Sequence, residues 1–144
     1  MDKWLTRWQE LKGKHPKALL YTISALLPMT IMLVVWFFMG SYPFGNKSLM
    51  AVDFGQQYIS FFGLLKHAVL TGDLSSLTYS FTKSLGGDMI GVLGYYLMSP
   101  FNIFYIIIPF KHYGLAVFLT IWLRYGAIGF SFSHFLIKRY KGAE

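Results

Sequence analysis

Asp53 is the residue on which chemistry in this chain can be built. It is the only acid in GSYPFGNKSLMAVDFGQQYISFFGLLKH, residues 40–67, a stretch that starts where an uncharged apolar run stops. A carboxylate partly desolvated by Phe54 and Tyr58 can take a proton from an acceptor hydroxyl as a general base. The same residue also fits a structural role. Asp53-Phe54-Gly55-Gln56 has the spacing of a capping box, with the acid at the N-cap and glutamine at the third helical position. The two roles are compatible.

Few other residues compete. Asp88 follows Gly86-Gly87 and precedes Met89, which suits a helix cap or a second site acid. Asp73 lies in a Thr-Gly-Asp turn and is read as solvated. Lys66-His67 and Lys111-His112 could hold a lipid phosphate as point charges, or simply meet headgroups. Arg124 falls in the middle of an apolar run, where a charge costs about 2.5–3.5 kcal/mol on insertion scales, so it should face a partner or a polar cavity. The four histidines (His15, His67, His112, His134) have no ligand spacing and cysteine is absent, so neither offers a metal site. The cofactor is left unknown, with a divalent metal as an option. No phosphate-binding glycine motif and no Ser-His-Asp or Cys-His arrangement is present.

The elements that must position these residues belong to a membrane protein. Of 144 residues, 55% are hydrophobic and 13% charged, too apolar for an ordinary soluble domain. The net charge of +7 collects at the chain ends, which reads as a topology signal and not as a nucleic-acid surface. Residues 1–17 form a basic tail in which Trp4 and Trp8, four apart, could lie in the headgroup region or merely anchor the first span. Residues 18–39 are uncharged and long enough to cross as a helix of roughly 33 Å, with Pro28 inside. Residues 113–137 form another apolar run, followed by a basic tail over 138–144.

Between them, 41–112 reads as a large external loop. At about 100° per residue, Asp53, Gln56, Gln57, Ser60, Gly63 and His67 share one face and Tyr58, Phe61, Phe62, Leu65 and Val69 the other. This predicts a surface helix over 54–71, apolar side on the membrane. Over 71–88, Leu74, Leu77, Phe81 and Leu85 recur at helical spacing, while Leu77, Tyr79 and Phe81 alternate like a strand. Both readings stay open. Residues 89–110 are uncharged, but Ser99-Pro100 interrupts them. Basic ends on both sides favour an even number of crossings, so 89–110 is expected to be a broken pair of half-helices dipping in from outside, with three spans as the alternative. The fold class is therefore all-α integral membrane, with two transmembrane helices flanking a large external loop that holds interfacial or re-entrant helices. The basic end before the first span places the N-terminus in the cytoplasm and the protein in the cell membrane.

Taken together, Tyr42-Pro43-Phe44-Gly45, Asp53 with Gln57-Tyr58, Ser84-Leu85-Gly86-Gly87, the run Tyr95-Tyr96-Leu97-Met98-Ser99-Pro100-Phe101-Asn102, and Leu123-Arg124 followed by Gly126 and Gly129 resemble the N-terminal part of the YfhO family of bacterial membrane proteins. The resemblance covers most of residues 18–140. It implies a membrane glycosyltransferase of the GT-C type. Such an enzyme moves a sugar from a polyprenyl-phosphate carrier, outside the membrane, to a cell-wall polymer such as lipoteichoic acid. By position it makes Asp53 the catalytic base toward the acceptor, with Gln57 and Tyr58 nearby. Lys66, His67, Asp88 and Arg124 complete the candidate substrate-binding set. Family members are far longer, so the chain is expected to be a fragment, inactive without the remaining helices of a longer protein. The partners implied are membrane lipid, the polyprenyl-phosphate sugar donor and the wall-polymer acceptor, with no nucleic acid. Two other classes remain: a piece of a transporter or permease, and a small non-enzymatic membrane subunit. An enzyme needs Asp53 outside and ionised, whereas a transporter more often needs acids within its spans.

Overall fold

The computed structural model describes residues 16–81, 83 and 85–140. The expected amphipathic turn around Trp4 and Trp8 lies outside the described residues. Helix α1 (Pro16–Met39) is the first element of the described residues. A π turn (Phe54–Tyr58) leads into α2 (Ile59–Thr71), which ends at Gly72 with φ 76°. A 3-10 turn (Leu74–Leu77) precedes strand β1 (Tyr79–Ser80), which pairs antiparallel with β2 (Gly87–Asp88). The broken segment comprises α3 (Ile90–Val92) continuing into a π turn (Leu93–Leu97), then a 3-10 turn (Pro100–Asn102) and α4 (Ile103–Ile107). Helix α5 (Tyr113–Arg139) closes the chain.

Among the described residues the fold is all-α apart from that two-stranded ladder. Two helical stretches, Lys17–Met39 and Phe110–Arg139, are long and apolar enough to cross a membrane. Between them, Ile90–Leu97 and Pro100–Ile107 form a pair bent by 89°. By length and composition the bent pair leaves up to three spans open.

The residues form two compact units, Phe37–Ile121 and Met1–Trp36 with Trp122–Glu144. In the second unit, Pro28 sits inside α1 and lacks the N–H that would reach the Ser24 carbonyl. Gly129 of α5 closes over that carbonyl: a Cβ at 129 would overlap the Ser24 oxygen, so one glycine Hα points at it, a weak Cα–H···O contact. Gly126, one turn earlier, lies against Met29, whose Sδ would be 2.5 Å from an added Cβ. The Trp122 indole N–H donates to the Met29 carbonyl at 3.2 Å. Small residues that let backbones approach are the usual device between membrane helices.

The first unit carries its own core. Phe62, Leu65 and Ala68 form the buried row of α2, packed with Leu77, Leu97, Tyr105, Tyr113, Ala116 and Val117. Phe62 stacks on Tyr105 at 3.9 Å between ring centroids, and the Tyr113 hydroxyl donates to the Tyr105 carbonyl at 3.0 Å. The periodicity of α2 thus finds its apolar face, with Ala68 in place of Val69 completing the row. Much of that face is covered by protein. The stretch after Gly72 divides between the two patterns its sequence offered. Leu74–Leu77 is helical and buries Leu77, whereas Tyr79 and Phe81 alternate outward around buried Ser80.

The break at Ser99-Pro100 is held by a specific donor. Pro100 has no N–H for the Tyr96 carbonyl four residues back. Asn102, 2% exposed, donates its side-chain amide to that carbonyl at 2.8 Å. Thr120 of α5 donates to the neighbouring Phe101 carbonyl at 3.3 Å. Irregular backbone at this place is thereby supplied with partners, as it must be near an apolar phase.

Candidate functional site

The turn after α1 is tight. Gly45 folds onto Gly40, where a Cβ would strike the Gly40 carbonyl. Lys47 N–H donates to the Gly40 carbonyl and Tyr42 N–H to the Lys47 carbonyl. The Tyr42–Pro43 peptide is cis. The chain then reaches Val52, a β-branched residue at φ 53°, a conformation that costs on the order of 1–3 kcal/mol and tends to gather at functional sites. Asp53 follows directly.

Asp53 is not the cap its spacing suggested. Its backbone is already helical (φ −57°, ψ −29°) and its side chain makes no cap hydrogen bond. An N-cap needs an extended backbone for its oxygen to fold back on the next N–H groups. Here the left-handed turn falls one residue earlier, and the Gln56 N–H is taken by the Val52 carbonyl. Gly55 packs against the Met50 carbonyl, 2.7 Å from where a Cβ would stand. The carboxylate is consequently left exposed and uncommitted to a cap.

Its neighbours are phenols. The rings of Tyr58 and Tyr96 lie 4.5 Å apart. Asp53 is close enough for its charge to act on the Tyr96 phenol. Phe54 and Phe61 complete the aromatic surround, at 5.6 Å from Tyr58 and 6.0 Å from Tyr96 respectively. Gln57 is exposed on the same π turn as Tyr58. An exposed carboxylate near phenol groups can accept a proton and orient the group that gives it.

The other candidates are placed elsewhere. The Lys66 ammonium donates to the Ile108 carbonyl at 2.6 Å and lies over the Phe110 and Tyr113 rings at 5.2 and 5.8 Å, so it ties α2 to the end of the broken segment. His67 is exposed on the next position of α2. Asp88 accepts the Ile90 N–H at 3.0 Å at the start of α3, while its carbonyl accepts from Lys83 at 2.6 Å. Arg124 is half-buried on α5, in the unit that does not contain Asp53. Among the described residues no three His, Asp or Glu side chains gather as a metal site. Tyr96 was absent from the sequence-based site. Its only signal was the Tyr95-Tyr96 pair ahead of the Ser99-Pro100 break.

Two apolar helices of spanning length, a bent pair between them and a polar site on the intervening unit define an α-helical integral membrane protein, and therefore one in contact with lipid. A family model of the bacterial membrane protein YfhO matches residues 24–144, and the chain belongs to that family. The match takes in Asp53, Tyr58 and Tyr96. No curated protein and no solved structure matches the chain.

Proposed function

We propose that the chain contributes the acceptor-side base of a membrane glycosyltransferase. The enzyme transfers a sugar from a polyprenyl-phosphate carrier to a cell-wall polymer, such as lipoteichoic acid, on the outer face of the bacterial membrane. Asp53 takes the proton of the acceptor hydroxyl as that oxygen attacks the anomeric carbon, and the polyprenyl phosphate departs. Tyr58 and Gln57 orient the acceptor, and nearby cations oppose the developing phosphate charge. In this reading 41–112 is external and both basic ends are cytoplasmic.

The observation that carries the reading is the exposed Asp53 carboxylate, free of a cap bond and near the Tyr58–Tyr96 ring pair, in a chain of the YfhO family. The test is Asp53→Asn at the native locus, scored by the sugar content of wall polymers and by protein in the membrane. Because the side chain caps nothing, protein level should hold while glycosylation is lost. Unchanged glycosylation would remove the enzyme reading. A transporter piece is the second reading, favoured by the 89° bend, since discontinuous helices line substrate paths in transporters. Against it, Asp53, Asp73 and Asp88, the acids among the described residues, lie outside both candidate spans.

A further inference from the structure

A second polar feature lies on the connection between α2 and the broken segment. Residues 73–81 enclose a wide-mouthed groove of about 460 Å³, within the roughly 300–1,000 Å³ of small-molecule sites. Asp73, Ser75, Ser76, Thr78 and Ser80 line it, together with Tyr79 and Phe81. Its frame is fixed. Leu77 and Met89 are buried, the Met89 N–H donates to the Thr78 carbonyl at 2.8 Å, and Ser80 is paired with Gly87.

The hydrogen bonds decide what such a groove can hold. Ser75 gives its proton to the Asp73 carboxylate at 2.5 Å, Ser76 to the Asp73 carbonyl at 2.8 Å and Thr78 to the Ser75 carbonyl at 2.7 Å. Three hydroxyls have thus committed their donors to oxygens of the same segment and keep lone pairs for a ligand. With the one carboxylate they make the polar part of a mainly apolar lining acceptor-rich and negatively charged, which disfavours phosphates and favours a neutral ligand with O–H donors. A metal is disfavoured by the same lining, which holds a single carboxylate. Tyr79 and Phe81 meet edge to face at 5.3 Å, and Phe81 is 80% exposed, giving an apolar platform for a C–H face. Many hydroxyls and one C–H face describe a pyranose.

We propose that this groove is a saccharide subsite, distinct from the Asp53 cluster, that holds a neutral sugar unit. That the natural occupant is part of the acceptor polymer rests on the glycosyltransferase reading. The selectivity for a neutral polyol rests on the lining alone. The test uses the full chain in lipid nanodiscs, with methyl β-glucopyranoside and glycerol 3-phosphate as probes in saturation-transfer NMR. Transfer is expected to the glucoside ring protons and not to the phosphate. Phe81→Leu should weaken glucoside binding roughly 2- to 10-fold, the worth of an aromatic contact, and Phe81→Trp should restore it. Because Phe81 is exposed, neither change threatens the fold. No transfer to the glucoside, equal transfer in the leucine and tryptophan variants, or preference for glycerol 3-phosphate would each overturn the proposal, the last pointing to a lipid headgroup. No donor and no turnover enter this assay, so its result stands apart from that of Asp53→Asn.

Discussion

Replacing Asn102 with alanine removes the donor that takes up the Tyr96 carbonyl across the break. Asn102 is 2% exposed and its amide lies 2.8 Å from that oxygen, so the variant leaves a part-buried acceptor without this partner, at about 1–3 kcal/mol. The size of the effect depends on Pro100. Were residue 100 alanine and Ser99, now extended at ψ 132°, to turn helical, the backbone N–H of residue 100 would reach the same carbonyl, four residues back. Loss of the Asn102 amide should then matter less, and the two changes should couple by about 1 kcal/mol, above the roughly 0.3–0.5 kcal/mol scatter of independent sites. The assay is a double-mutant cycle on the full chain in detergent micelles: native, Asn102→Ala, Pro100→Ala and the double variant, each unfolded by denaturant titration. Equal destabilisation by Asn102→Ala in both backgrounds would refute the reasoning. The bend would then be held by something other than the exchange of one lost backbone donor for one side-chain donor.

Three further outcomes are expected. Gly129→Ala drives a methyl into the Ser24 carbonyl while Gly126→Ala meets only the flexible end of Met29, so the first should destabilise by about 1–3 kcal/mol and the second by clearly less; thermal melts in micelles decide the order, and the reverse order would dismiss the close approach. Lys66→Met removes a charge-assisted hydrogen bond and contacts to two rings and should lower stability by about 1.5–3 kcal/mol, so full stability with lost glycosylation would return Lys66 to a purely substrate role. The chain has no cysteine, which makes single-cysteine labelling clean: Asn46→Cys in intact cells should react with a membrane-impermeant maleimide, and Lys138→Cys only after permeabilisation. Labelling of both in intact cells would undo the topology.

The helix faces were readable because period alone sets them: Phe62 and Leu65 recur as a buried row whatever covers them. The apolar runs and the two prolines were readable for the same local reason. Asp53 was misassigned as a cap because capping depends on one φ angle, and residues 53–56 carry the right letters whether or not the left-handed turn falls at Val52. Tyr96 was missed because it meets Tyr58 across 38 positions, through a bend whose direction no local pattern specifies.

The two prolines show where the boundary lies. Pro28 frees the Ser24 carbonyl and Pro100 the Tyr96 carbonyl, and both facts follow from the missing N–H. The replacement partner is a tertiary matter, and it differs. Between the two long helices, the Ser24 oxygen is approached by Gly129, a residue with no side chain, at backbone contact. At the sharp bend, the Tyr96 oxygen is met by a full amide from Asn102. A straight span leaves its carbonyls sheltered by the helix itself, so a weak Cα–H contact serves. A segment bent by 89° turns them outward and requires a strong donor. That difference also sets the site. The donor at 102 holds the Tyr96 backbone, and the Tyr96 ring is what reaches Tyr58 beside Asp53, so the chemistry proposed for Asp53 depends on how one proline's lost hydrogen bond is replaced.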